Sequence, residues 1–227
     1  MKRMTLIPPG SRRNQRKVQT AFINIPYSPE YEERLMALIA TLSLFGLVPT
    51  SASVASAAPN RLDRIISAIA ECAVSIHDLT WVELDSIEPR TPRFNMPFEF
   101  GVALGLARLV GNEVIAMDSV PYRLDKALSD VRGLDVQIID DEAASVFRAL
   151  SNVFYRKDFQ PEPHHFQYVL DRVRRAADHA RVEYGFDSLF EAKPFSDLRR
   201  AASEAACGVL GNPRVAKRKV ALRDLTR

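Results

Sequence analysis

"VQTAFINIPYSPEYEERLMALIATLSLFG", Val18–Gly46, decides the fold class. Its first part, Val18 to Ile25, is rich in β-branched and apolar residues and is stopped by Pro26, which reads as a strand. Ser28 then stands as a candidate N-cap, with Pro29 at the first helical position, acids in the first turn and Gly46 where a helix would end. A strand followed directly by a helix is the opening of a βα unit, and the rest of the chain repeats it.

"LVPTSASVASAAPN", 47–60, begins with a short strand at Leu47–Thr50 and continues as a small-residue loop. "RLDRIISAIAEC", 61–72, places Leu62, Ile65, Ile66 and Ile69 at the spacing of an amphipathic helix. "AVSIHDL", 73–79, is a third strand ending in His77 and Asp78, and a polar loop, 80–93, leads to an apolar helix over 96–110. "NEVIAMD" is a fourth strand ending in Asp118, and "LDVQIID" a fifth, before an amphipathic helix from Glu142 to about Phe154. Alternation of this kind predicts a flavodoxin-like, doubly wound five-stranded parallel sheet in the order 2-1-3-4-5. Residues 18–156 form this α/β domain. After the linker "KDFQPEPHH", residues 157–213 form a C-terminal α-helical appendage, with helices over 165–184 and 195–210, that packs on the sheet domain or on a second copy.

At 227 residues with 47% hydrophobic content the chain has enough material for a real core, which excludes disorder throughout. The net charge of +3 conceals a segregation. Residues 1–17 hold six basic residues and no acid, and residues 214–227 hold six against one, so the body between them carries about −8. These ends read as a basic flexible leader and a basic tail. They offer at most a weak, salt-dependent nucleic-acid contact, because no aromatic residue interleaves with the charges. Cys72 and Cys207 lack metal or disulfide spacing and suit a reducing compartment. No stretch has the length of a membrane span or the apolar core of a signal peptide, so a cytoplasmic protein with no membrane contact is expected. Neither GxGxxG nor GxxxxGK[ST] occurs.

In an open parallel sheet, ligands bind beyond the carboxyl ends of the strands where strand order reverses, here between the first and third strands. Asn24, Pro26 and Tyr27 follow the first strand there, and His77 and Asp78 end the third. Glu99, in the first turn of the helix "NMPFEFGVALGLARLV", reaches the same crevice. Asp118 and Tyr122 lie on the neighbouring edge. Two readings of Glu99 stand side by side: a first-turn acid at the third helical position that closes a capping box on Met96, or a carboxylate at a pocket mouth whose desolvation must be offset by hydrogen bonds or a cation. Asp78 reads equally as site residue and as turn cap. His77 alternates with Asp78 and points to the opposite face, where a core histidine is expected. Gly101 and Gly105, four apart, would let another backbone approach, so this helix is expected to pack on more than one side.

"AECAVSIHDLTWVELDSIEPRTPRFNMPFEFGVALG", 70–105, resembles a bacterial group with a strand-terminal IHDLS and a PRFNMPFELG box; "AFINIPYS" and "PYRLDKALSDVRGLDV" match its other stretches, so the likeness spans about residues 20–140. More remotely it resembles TIR-like domains and nucleoside 2-deoxyribosyltransferases. That resemblance implies cleavage of the N-glycosidic bond of a nucleoside, nucleotide or NAD-like dinucleotide, in the role of an antiphage-defence effector. It implies Glu99 as nucleophile or charge stabiliser and Asp78 as the acid assisting the leaving base, with Asn24, Tyr27 and Asn95 as neutral partners of sugar or base. The implied enzyme needs no metal and no cofactor, since NAD or the nucleoside is its substrate, and it works as a homo-oligomer. The alternative is a nucleotide-sensing or assembly module without catalysis. It takes weight from the altered lead-in, where "TPRFNMP" replaces the Asp-Ser-Gly-Thr of the deoxyribosyltransferases and no Trp-Cys pair precedes Glu99.

Overall fold

In the computed structural model, which describes residues 19–54, 60–81, 84, 88–155, 157 and 159–210, five strands form one parallel sheet. The basic leader and tail lie outside the described residues. The strands are β1 (Thr20–Asn24), β2 (Val48–Thr50), β3 (Val74–Asp78), β4 (Glu113–Asp118) and β5 (Val136–Ile138), in the order β2-β1-β3-β4-β5. Between them run α1 (Glu32–Leu44), α2 (Arg61–Glu71), α3 (Asn95–Val110) and the short α4 (Arg123–Ala127); α5 (Ala143–Val153), α6 (Pro163–Tyr184) and α7 (Ala192–Val209) follow. This is the expected doubly wound sheet with C-terminal helices. The register pairs Asn24 with His77 across β1 and β3, so the two residues stand side by side at the switch point.

Side-chain alternation along the strands sorts the core into two faces. Ala21 and Ile23 of β1, with Val74 and Ile76 of β3, face α1 and α5. Phe22 turns to the opposite layer with Ile65, Ile69 and Ala103 of α2 and α3. α6 and α7 join the first of these layers, since Phe166, Val173, Phe195 and Leu198 share one cluster with Leu38 and Ile39 of α1. The appendage thus packs on the sheet domain and covers α1. Lying between the sheet and two helices, α1 buries nearly all its residues, which is why its sequence is apolar all the way round.

α3 is also apolar around its circumference, but the described residues cover it on one side only. Met96, Glu99, Phe100 and Ala103 are buried, while Phe94, Phe98, Leu109 and Val110 are exposed, Leu109 to 80%. A Cβ placed on Gly101 or Gly105 would meet no atom within 4 Å, so among the described residues the expected second packing partner of α3 is not there. Local boundaries also differ from expectation. Pro29–Tyr31 forms a single 3-10 turn ahead of α1, and the Ser28 side chain makes no cap hydrogen bond. Among the described residues no helix is long and apolar enough to cross a membrane.

Candidate functional site

Glu99 is the fifth residue of α3, whose N-cap is Phe94, and no acid lies in the first turn of that helix. The capping role therefore does not hold: four residues separate Glu99 from the helix start, and its side chain turns inward to 5% exposure. Pro97 is tolerated at the third helical position because the first four N–H groups have no intrahelical acceptor.

Three other elements meet this carboxylate. Asn24, the last residue of β1 and 4% exposed, hydrogen-bonds Glu99, and Arg61, the first residue of α2, bears on it with its positive charge. Burial nevertheless dominates and raises the Glu99 pKa above the ordinary carboxyl range; Arg61 and Asn24 work against that rise. Asn24 Nδ2 also lies 3.0 Å from His77 Nδ1. With the amide donating, Nδ1 accepts and the ring proton sits on Nε2, which is buried without a partner. His77 packs between Phe22 and Phe100, and complete burial pushes its pKa down to about 3, so the ring is neutral near pH 7. It is a core histidine on the face that Glu99 shares.

Tyr27 continues the site at the rim. Its ring stacks on Phe190 at 4.7 Å between centroids, and the Arg61 guanidinium lies 5.3 Å from its centre. Pro26 is buried where β1 ends, and Asn95, exposed, stands one turn before Glu99 on the same side of α3. Asn24, Tyr27, His77, Asn95 and Glu99 are thus brought to the carboxyl ends of β1 and β3.

Asp78 is not brought to Glu99. It leaves β3 on the α1 face, fully buried, where Arg34 Nη1 donates to Oδ2 at 3.0 Å and the Thr80 N–H and Oγ1 donate to Oδ1 at 2.9 and 2.6 Å. Both oxygens are occupied, so the structure realises the turn-cap reading and adds an ion pair. Around it Tyr31 Oη lies 3.1 Å from Thr80 Oγ1, the Tyr31 ring stacks on Trp81 at 5.6 Å, and Arg93 lies 4.2 Å from the Trp81 centre. Asp118, 2% exposed, is held by Arg123, which also donates to the carbonyls of Leu79 and Thr80 at 3.3 Å. Tyr122, at φ 60°, is exposed and lines a hollow of about 260 Å³ with Val120, Leu134 and Ile138 on the β4–β5 side. Asp118 and Tyr122 thus belong to another edge of the sheet, away from the group around Glu99.

Sequence reasoning missed Arg61, Arg34, Trp81 and Phe190. The one available signal for Arg61 is its place at the start of the helix that follows the small-residue loop. Among the described residues no group of three or more His, Cys, Asp or Glu has the arrangement of a metal site. Comparison with protein-family models, with curated proteins and with solved structures gives no match for this chain.

Proposed function

We propose that the protein cleaves the N-glycosidic bond of a nucleoside, nucleotide or NAD-like dinucleotide, with Glu99 as the acting carboxylate. The observation that carries this reading is a buried acid at the switch point of a doubly wound sheet, opposed by one cation, Arg61, and one amide, Asn24. As the C1′–N bond breaks, its electron pair leaves with the base and positive charge develops on the sugar. Ionised Glu99 stabilises that charge or bonds to C1′ as a glycosyl ester, which water then hydrolyses. Asn24 and Asn95 supply hydrogen bonds for sugar or base, and the exposed cation of Arg61 suits a phosphate at the rim. Such an activity fits a cytoplasmic effector that depletes nucleotides during phage infection.

The test is chromatography of products after incubation with NAD and a panel of nucleosides and nucleotides. Release of free base or nicotinamide by wild type and its loss in Glu99→Gln is the expected result. Full turnover by Glu99→Gln would refute the reading.

One observation favours a second reading, a nucleotide-sensing module without catalysis: the acid assigned to the leaving base, Asp78, has both oxygens engaged by Arg34 and Thr80. Thermal-shift screening separates the two, because a sensor is stabilised by a nucleotide that it leaves intact.

A further inference from the structure

The turn between α6 and α7 reaches the candidate site from the far side of the molecule. Its anchor is Glu32, in the first turn of α1, which is almost buried. Glu32 Oε1 accepts the Leu189 N–H at 2.8 Å, and Oε2 accepts the Arg181 guanidinium of α6. With Leu189 fixed and wholly buried, the next residue, Phe190, is delivered against Tyr27 in a near-parallel stack of 16°. Tyr27 carries the Arg61 guanidinium near its ring, and Arg61 is the cation that acts on Glu99. The path Arg181–Glu32–Leu189–Phe190–Tyr27–Arg61–Glu99 therefore runs from the C-terminal helices to the carboxylate through one covalent step, Leu189 to Phe190, and contacts that each have a stated geometry or charge.

We infer that Phe190 is a positioning residue for the candidate site: by fixing the plane of the Tyr27 ring it sets where the Arg61 guanidinium stands relative to Glu99. An exposed arginine is rotamerically free unless a surface holds it, and an aromatic face attracts a guanidinium over a restricted area. A tilted Tyr27 ring displaces that area. The C-terminal helices are then part of the site's electrostatics and not a separate module. The inference rests on Glu99 being the acting group but needs no substrate to be known.

Among the described residues, the charged and titratable groups around Glu99 are Arg61 from α2 and, through Asn24 of β1, neutral His77 from β3. Weakening the hold on Arg61 should therefore move Glu99 in one direction only, towards easier protonation. In the full-length protein, the infrared carbonyl band of the protonated Glu99 carboxyl is identified by its loss in Glu99→Gln and followed against pH. Arg61→Gln is expected to shift its midpoint upward, and Phe190→Leu to shift it upward by less. The double variant should shift no further than Arg61→Gln alone, and Phe190→Tyr, which keeps the stack, should titrate like wild type. Tyr27→Leu, at a half-buried position, must reproduce the Phe190→Leu shift and serves where that variant does not fold. Phe190→Leu and Tyr27→Leu titrating as wild type, or Arg61→Gln leaving Glu99 unmoved, would overturn the inference. A lack of glycosidase activity, by contrast, bears on the proposed reaction and leaves this titration as it is.

Discussion

His77 permits a prediction whose size follows from the structure. It is wholly buried, its pKa lies at about 3, and in the unfolded chain the imidazole titrates near its ordinary 6.5. The folded protein therefore refuses a proton that the unfolded chain accepts between these values. The stability that comes from keeping the ring neutral is fully present above about pH 6.5 and is lost as pH falls through the window towards 3. Each pH unit well inside it costs about 1.4 kcal/mol, but the slope is half that at pH 6.5, so moving from pH 6.5 to 4.5 costs roughly 2 kcal/mol from this residue alone. Glu99 acts in the opposite sense, because burial raises its pKa and the folded state takes up a proton before the unfolded chain does. Glu113, also raised by burial, acts with Glu99, and Asp140, lowered by its hydrogen bonds, acts with His77, so the wild-type profile combines all four. His77→Phe removes the first contribution while keeping a ring between Phe22 and Phe100. Urea unfolding followed by circular dichroism at pH 6.5 and 4.5 should show the variant losing roughly 2 kcal/mol less than wild type on acidification. The absolute stability of the variant is not the readout. Equal losses in the two proteins would refute the claim that His77 is held neutral by burial.

Two further perturbations test the elements that frame the site. Arg34→Met strands the buried Asp78 carboxylate and should cost about 3 kcal/mol in urea unfolding, with Asp78→Asn in the same background restoring part of it; a near-neutral Arg34→Met would mean that the ion pair is not supporting the turn after β3. The outer face of α3 bears on the expected homo-oligomer. An antiparallel two-fold contact centred on residue 103 would pair Gly101 with Gly105 and set Phe98 opposite Arg108, beside Leu109, so light scattering should find a dimer that Leu109→Glu converts to monomer; monomers in both cases would discard this face.

The sheet and its order were legible because short β-rich runs alternate with longer helical stretches, several of them marked at their ends by proline, glycine or a capping residue. What failed in the site was local first. Met96 as N-cap would put Glu99 in the first turn, but the helix begins at Asn95, a residue type that usually caps, and Glu99 is carried two positions deeper. The other misses are long-range. Arg34 lies 44 residues from Asp78 and Arg61 38 residues from Glu99, and nothing in either neighbourhood announces the pairing. Alternation did place His77 opposite Asp78, and its consequence follows from the topology: since α2 and α3 cover that face, the histidine and not the aspartate stands with Glu99.

α1 and α3 show why an apolar helix is ambiguous when read alone. Both are hydrophobic around their circumference, yet α1 is buried by the sheet and two later helices, whereas α3 meets the sheet on one side and leaves Phe98 and Leu109 exposed. The acids on the two helices differ in the same way. Glu32 of α1 has its charge answered at once by a guanidinium and a backbone N–H, the pattern of a structural anchor. Glu99 of α3 is opposed by a side-chain amide and by a cation held at the exposed start of another helix, and burial still outweighs them. A carboxylate whose desolvation is only partly offset is costly to the fold, and folding alone gives no reason to keep it when leucine at the same position would pack without that cost. The incomplete compensation sets Glu99 apart from the buried Glu32, Asp78 and Asp118, which each have an arginine bonded to them; the half-buried Glu113 shares it, but at the amino end of β4, away from the switch point.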